Sequence, residues 1–431
     1  MRIHLKKLRF LGGVTSALLV TTSLVAPAAL AGGFAVREQS TEFQGMSFAG
    51  SAAGGGGLSS MFWNSAALGH HGSGFKSESH YAYLLAESEI TVLPGSTLGG
   101  VGTTVDIGRD AIIPSSYYAY RISKDVVFGL GINAPFGLGT EVSNNLWAGQ
   151  LHHRSSKMTT YNFNPALSYE IRPGLWIGAG LQVEYISLRL KQASAVNGPN
   201  SVLRGDDVGI GATAGLLWEP HKGTTLGLGW RSSVHHTIVG DAFVVGSPAA
   251  HTIINPSIST PDIITASFRQ YLTQSVRALG TVEYTNWSKY GQIPVLSNTG
   301  ATVANLDFNW HDGWFFSLGA EYDWSDKVTL RAGAAYEISP IQNATERLAQ
   351  VPDSDRWWLS MGASYRYSAT TTIDFAYSHV FFDGGQIDRR PASPAAAGVR
   401  LLADVEQSAD IISIALKMKL GGVEAHSEPL K

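Results

Sequence analysis

The chain has no cysteine in its 431 residues. That excludes disulfides, thiol catalysis and thiolate metal sites, and it suits export through an oxidising compartment. Charge is scarce, with Asp, Glu, Lys and Arg making up 15%. Beyond the N-terminus there is no run of about 18 apolar residues, so no helical membrane span is expected. The sequence has no G-x-S-x-G elbow and no H-E-x-x-H pair, the signs of serine and zinc hydrolases. No enzyme chemistry is expected. His70-His71, His152-His153 and His235-His236 are adjacent pairs, and neighbours on a strand face opposite ways. Zinc needs about four converging donors, so neither a metal nor another cofactor is expected.

What is present begins with a leader. Arg2, Lys6, Lys7 and Arg9 precede a mostly small and apolar stretch, and Ala29-Leu30-Ala31 has the A-x-A cleavage pattern. Residues 1–31 therefore read as a secretory signal peptide. Cutting after Ala31 removes four basic and no acidic residues and takes the net charge from −3 to −7. That disfavours nucleic acid as a partner.

From residue 75 to residue 420 a two-residue rhythm recurs. Ile412, Ile414, Leu416, Met418 and Leu420 alternate with Ser413, Ala415, Lys417 and Lys419. Trp314, Phe316, Leu318 and Tyr322 alternate with Ser317, Gly319, Glu321 and Asp323. Each such segment has one apolar and one polar face as a strand. The segments run to ten residues or more, longer than the usual five or six of a soluble sheet. About fourteen of them, an even number, predict an all-β transmembrane antiparallel barrel over residues 74–420. The third strand is expected at 126–134, the seventh at 224–237, the ninth at 275–289 and the last at 409–420. Short connectors such as Arg172-Pro173-Gly174 alternate with long ones such as 135–157, 238–262 and 384–408. Short turns inside and long loops outside are the pattern of an outer-membrane barrel. A polar tail, 421–431, follows.

Residues 32–73 do not alternate. They are rich in Gly, Ser and Ala but carry Phe34, Phe43, Met46, Phe48, Met61, Phe62 and Trp63. A fourteen-stranded lumen is too wide to be filled by its own side chains, so this segment is expected to plug it as an N-terminal hatch. Inward parity falls on Gln182, Glu184, Arg277, Glu321, Arg331, Asp374 and Lys417. Most should form ion pairs with one another. Arg277 and Arg331 are candidates to meet a ligand carboxylate. The loop after the third strand offers Phe136, Leu138, Leu146, Trp147 and Leu151 with few charges. It reads either as a greasy collecting surface or as a lid of loops packed on loops. Gly209-Ile210-Gly211-Ala212-Thr213-Ala214 matches G-x-G-x-x-A, but it lies within a strand, where no dinucleotide site forms.

These residues resemble the FadL-type outer-membrane transporters of long-chain fatty acids, a family that includes importers of aromatic hydrocarbons. The resemblance rests on Gly33-Phe34, Trp63-Asn64-Ser65-Ala66-Ala67-Leu68, Ala134-Pro135-Phe136-Gly137 with Trp147-Ala148-Gly149, and Asn164-Pro165-Ala166-Leu167-Ser168-Tyr169. It continues in Glu283-Tyr284-Thr285-Asn286-Trp287-Ser288 and Pro352-Asp353-Ser354-Asp355-Arg356-Trp357. It implies ligand capture on apolar extracellular loops, transfer to a site behind the hatch, and lateral exit at a kink in the third strand. That kink would fall at Asn133-Ala134-Pro135, because Pro cannot donate to a ladder. The hatch motif that should face it is Asn64-Ser65-Ala66, where the family has Pro in place of Ser65. The implied setting is a monomer in the Gram-negative outer membrane, with lipid and lipopolysaccharide around it and the barrel-assembly machinery as its biogenesis partner. Uptake of alkanes or aromatic hydrocarbons by the same route, a diffusion porin and a loop-based adhesin are the competing readings.

Overall fold

The computed structural model describes residues 32–420 except 56, 101 and 391–397; the expected signal peptide and polar tail lie outside the described residues. Fourteen antiparallel strands close into a barrel. The first seven are β1 (Phe75–Val92), β2 (Ala111–Arg121), β3 (Val126–Asn133), β4 (Ser155–Arg172), β5 (Leu175–Ala193), β6 (Asn200–His221) and β7 (Thr224–Arg231). The others are β8 (Ile263–Tyr271), β9 (Val276–Thr285), β10 (Gly313–Ser325), β11 (Val328–Ile338), β12 (Arg356–Arg366), β13 (Thr371–Phe382) and β14 (Leu401–Leu420). The ring closes where β1 pairs with β14, from Phe75 against Leu420 to Val92 against Ala403.

The alternation dictates which side of the wall is apolar. On β14, Ile412 and Ile414 are 53% and 45% exposed while Ser413 and Ala415 are 3% and 1%. The large apolar side chains face out, the reverse of a soluble protein and the arrangement lipid requires. Tyr120, Tyr169, Trp218, Tyr271, Trp324 and Tyr367 are exposed near the short turns. They form the aromatic belt of one membrane interface.

Four boundaries differ most from expectation, the first being that of β6, which begins at Asn200 rather than at 207. β7 stops at Arg231 and β9 at Thr285, where Trp287–Lys289 turns into a short 3-10 helix. β14 begins at Leu401 because residues 401–408 also alternate, and 401–405 pair with Gly385–Arg389 in a hairpin.

The N-terminal segment runs through the barrel interior. Phe43, Met46, Phe48, Leu58, Met61 and Trp63 are all at most 3% exposed. Its secondary structure is a four-residue helix, Thr41–Gln44, capped by the Ser40 hydroxyl, and the 3-10 turns Ser51–Ala53, Ser59–Phe62 and Ser65–His70. Such short turns leave backbone groups unpaired, and buried ones need partners. The wall supplies them. Glu78 accepts from the Leu58 and Ser59 amides (2.7 and 3.2 Å), and Thr281 from that of Gly50 (2.8 Å). Wall glycines admit the close approach: a Cβ on Gly229 would overlap the Trp63 carbonyl, and one on Gly333 the Met46 carbonyl. Ion pairs complete the attachment. Arg37 meets Glu283 (2.7 Å) and Glu337 (3.2 Å), and Glu42 meets Lys417 and Arg331.

Candidate ligand-binding site

The third strand is interrupted where Pro135 lies. β3 pairs with β4 as far as Asn133 against Asn162, and pairing resumes at Gly137 against Thr159. Residues 134–136 thus oppose only Thr160 and Tyr161, a bulge that re-aims the chain. β2 and β3 pair only from Arg121–Val127 to Ser116–Ile132, so residues 111–115 face no third-strand partner among the described residues.

The N-terminal segment fills this gap. The Val36 amide donates to the Pro135 carbonyl (2.8 Å), and the Gly137 amide donates to the Phe34 carbonyl (2.9 Å). Gln39 donates to the Ala134 carbonyl (2.8 Å), while Ser115 and Tyr117 donate to the Gln39 carbonyl (2.9 and 3.0 Å). The side-chain amide of Asn133, 2% exposed, bonds to no protein group among the described residues.

Asn133, Ala134 and Pro135 thus meet residues 34–39, and Asn64-Ser65-Ala66 lies elsewhere. Asn64 caps its own 3-10 turn and donates to the Leu216 carbonyl (2.9 Å). Ser65 bonds Thr213 (2.8 Å), and Ser168 donates to the Ala66 carbonyl (3.0 Å). Gly178 and Gly215, on β5 and β6, leave room for this turn. Leu68, further along, packs against Gly129 of β3.

Beside Phe34 lies a cavity of about 280 Å³, close to the lower end of the roughly 300–1,000 Å³ typical of ligand pockets. Phe34, Leu138, Leu151, Met158, Leu188 and Ile258 give it an apolar wall. Phe34 itself is held in an aromatic cage, its ring 4.7 Å from Trp287, 5.2 Å from Tyr290 and 5.4 Å from Trp310. One side of the cavity carries three cations, Lys191, Arg389 and Arg390, against one carboxylate, Asp307. Arg389 donates to the carbonyls of Thr345 and Asp307 rather than to a carboxylate. Among the described residues, neither Lys191 nor Arg390 forms an ion pair. Burial, reinforced by Arg389, pushes His152 down to about 4, so it is a neutral neighbour at pH 7.

Of the apolar loop residues singled out in the sequence, Leu138 and Leu151 line this cavity. Phe136 stands behind Phe34, ring centroids 6.3 Å apart. Trp147 belongs to a different cluster, with Ile90, Ile107 and Ile387, and donates to the His153 carbonyl (2.7 Å). Leu146 is 62% exposed. The loop is therefore part wall and part lid. Arg277 and Arg331 are occupied away from the cavity. Arg277 binds Asp323 and Glu321, the latter at 3.0 Å, and Arg331 binds Glu321 at 2.9 Å. Lys191, Arg389, Arg390, Tyr290 and Trp310 were not anticipated. The adjacent arginines in a long loop were the one available signal.

The family model described as outer membrane protein transport protein (OMPP1/FadL/TodX) matches residues 22–419. The chain belongs to this family. Family members are transport channels of the Gram-negative outer membrane, not enzymes. Among curated relatives, the chain is 24% identical over 408 residues to a long-chain fatty acid transport protein of Escherichia coli O6:H1, covering 85% of this chain and 90% of that one. It is 22% identical to outer membrane protein P1 of Haemophilus influenzae, over 70% and 72% of the two chains. Among solved structures, a Pseudomonas aeruginosa FadL homologue superposes with a TM-score of 0.82 at 19% identity, covering 90% of this chain and all of that one. The Pseudomonas putida toluene transporter TodX gives 0.68 at 16%, covering 92% of this chain and all of that one. These likenesses fix the fold, a FadL-type barrel.

Proposed function

We propose that this FadL-family barrel imports long-chain fatty acids passively, with the cavity beside Phe34 as the capture site. The observation that carries the reading is the pairing of an apolar wall with a cationic rim in one cavity. An acyl chain gains about 0.8 kcal/mol per methylene on burial, and its carboxylate would lie against Lys191, Arg389 and Arg390. The curated relative in E. coli bears a fatty-acid transport name.

The route onward uses Phe34 as floor and lever. Its carbonyl and the Val36 amide are bonded to Gly137 and Pro135. A ligand that displaces the Phe34 ring from its aromatic cage would draw residues 34–39 off the kink. That uncovers the unpaired stretch between β2 and the third strand, and cargo would leave there into the membrane. The rest of the hatch need not leave the lumen, because Glu42 would stay paired with Arg331 of β11 and Lys417 of β14; Arg37, within the moving stretch, would have to part from Glu283 and Glu337.

A second reading, import of aromatic hydrocarbons, draws on the cage of Trp287, Tyr290 and Trp310 and on the fold shared with a toluene transporter. A hydrocarbon, however, has no charge to match the rim. Uptake of labelled oleate and of labelled toluene in a deletion strain, with and without the gene restored, separates the two. Restoration of oleate uptake alone is expected, and restoration of toluene uptake alone would reject the fatty-acid reading.

A further inference from the structure

The seventh strand leaves the wall as well as the third. β7 pairs with β6 up to Arg231 against Thr213, and the chain returns to β6 only at Val239 against Asp206. Between these points His235–Thr237 turns inward and pairs with Ser257–Ser259 instead. Among the described residues, 207–211 of β6 have no strand partner on that side. Glycine permits the fold: a Cβ on Gly209 would strike Val234 and the His235 carbonyl, and one on Gly211 would crowd Val234. That explains both glycines of the G-x-G-x-x-A pattern. On the outer face, Val208 and Ile210 are 59% and 71% exposed, so the break looks onto lipid.

The two breaks share one row of the barrel. Asn133 opposes Asn162, Asn162 opposes Glu184, and Glu184 opposes Gly209. The capture cavity abuts the second break directly. Ile258 lines the cavity and is the ladder partner of His236, while Val202 and Leu203 line it from β6 just beyond the break.

Side chains hold the inturned hairpin where ladder bonds are missing. His236 is fully buried, with Nδ1 3.1 Å from Asp207 Oδ2 and Nε2 3.3 Å from Glu184 Oε1. Asp207 also accepts from the Thr237 amide (3.1 Å). The hairpin's grip on the unpaired part of β6 thus centres on one imidazole between two wall carboxylates.

We propose that this break is a second lateral passage, joining the capture cavity to the membrane between β6 and β7, with His236 as its latch. Its cargo would be apolar molecules already dissolved in the membrane, which could reach the cavity without crossing the extracellular loops. The proposal rests on the transport reading of the cavity, but its test does not need transport.

The native chain lacks cysteine, so Ile258→Cys provides a single reporter inside the cavity. In proteoliposomes its labelling is followed with a long-chain alkyl maleimide held in the bilayer and with a charged maleimide in the water. Adding His236→Ala removes both carboxylate contacts and should raise the bilayer-borne rate at least about tenfold, the effect of losing one charge-assisted hydrogen bond, and leave the water-borne rate within about twofold. Asp207→Asn keeps an acceptor for Thr237 and should give a smaller rise in the same direction. It also serves if His236→Ala does not fold. Unchanged bilayer-borne rates in the variants, or equal rises with both reagents, would overturn the passage. Failure here leaves oleate uptake as a separate question, and loss of oleate uptake leaves this result standing.

Discussion

On the inner face of the wall and the segment buried within it, Arg37, Arg277, Arg331 and Lys417 each lie against carboxylates. Around the cavity, Lys191 and Arg390 form no ion pair among the described residues, and Arg389 is spent on carbonyls. The first group is buried: Arg37, Arg331 and Lys417 tie segment 32–73 to the wall, and Arg277 ties β9 to β10. The second borders a space that an acyl chain could enter. The contrast teaches that the inward cations beside segment 32–73 are spent on structure, and that cations outnumbering the carboxylates beside an apolar wall are where a ligand site is to be sought.

The sharpest way to break this contrast is to remove one cation from each region. Arg37→Met would strand Glu283, which has no other ion-pair partner among the described residues, and should destabilise the protein by about 3–5 kcal/mol, the cost of breaking a buried pair. Lys191→Met should change stability by no more than about 0.5 kcal/mol. Denaturant unfolding in detergent reads both, and similar losses would erase the distinction.

A pH test comes next. Burial pushes the Glu38 carboxyl up to about 7, against its own backbone N–H and Arg37. Released into water, it would return to its ordinary value of 4.5. The docked stretch 34–39 therefore binds the proton more tightly between those two values. Its docking is strongest below the ordinary value, weakens as pH rises through 7 and stays weakened above. The difference is on the order of 3 kcal/mol. Hydrogen exchange at the Val36 amide, corrected for intrinsic rate, should be faster at pH 8 than at pH 5, and Glu38→Gln should remove the difference. An exchange ratio independent of pH in the parent protein would refute it.

A smaller effect is expected at the rim. Arg389→Met or Arg390→Met should each weaken palmitate binding about tenfold, or ~1.4 kcal/mol, and leave hexadecanol binding nearly unchanged. Equal losses for both ligands would assign the arginines to packing. The smallest effect belongs to Leu146, which lies outside the cavity. Leu146→Ser should alter palmitate affinity by less than about twofold in the same titration, within the ±0.5 kcal/mol of a surface change.

The wall was legible in the sequence and the site only partly so. Alternation at Ile412, Ser413, Ile414 and Ala415 is enforced by lipid on one side and lumen on the other, so strand number and parity follow directly. Pro135 marked the kink because a missing N–H is a local property. Arg277 and Arg331 were found to face inward, but their partners Glu321 and Asp323 are set by register across strands, which parity does not carry. Asn64-Ser65-Ala66 was expected at the kink, but the path of three 3-10 turns through the lumen takes it to β4, β5 and β6. Arg389 and Arg390 sit in a loop with no periodicity, so their convergence with Lys191 of β5 could not be read from spacing.

A structure of the protein with palmitate bound tests the central claim most directly. The expected result places the acyl chain in the cavity lined by Leu138, Met158 and Leu188. Its carboxylate should lie within about 4 Å of Lys191, Arg389 or Arg390, the reach of an ion pair, and the Phe34 ring should be moved from between Trp287 and Tyr290. A carboxylate bound instead at Arg277 or Arg331, or palmitate lodged elsewhere with Phe34 still caged, would contradict it.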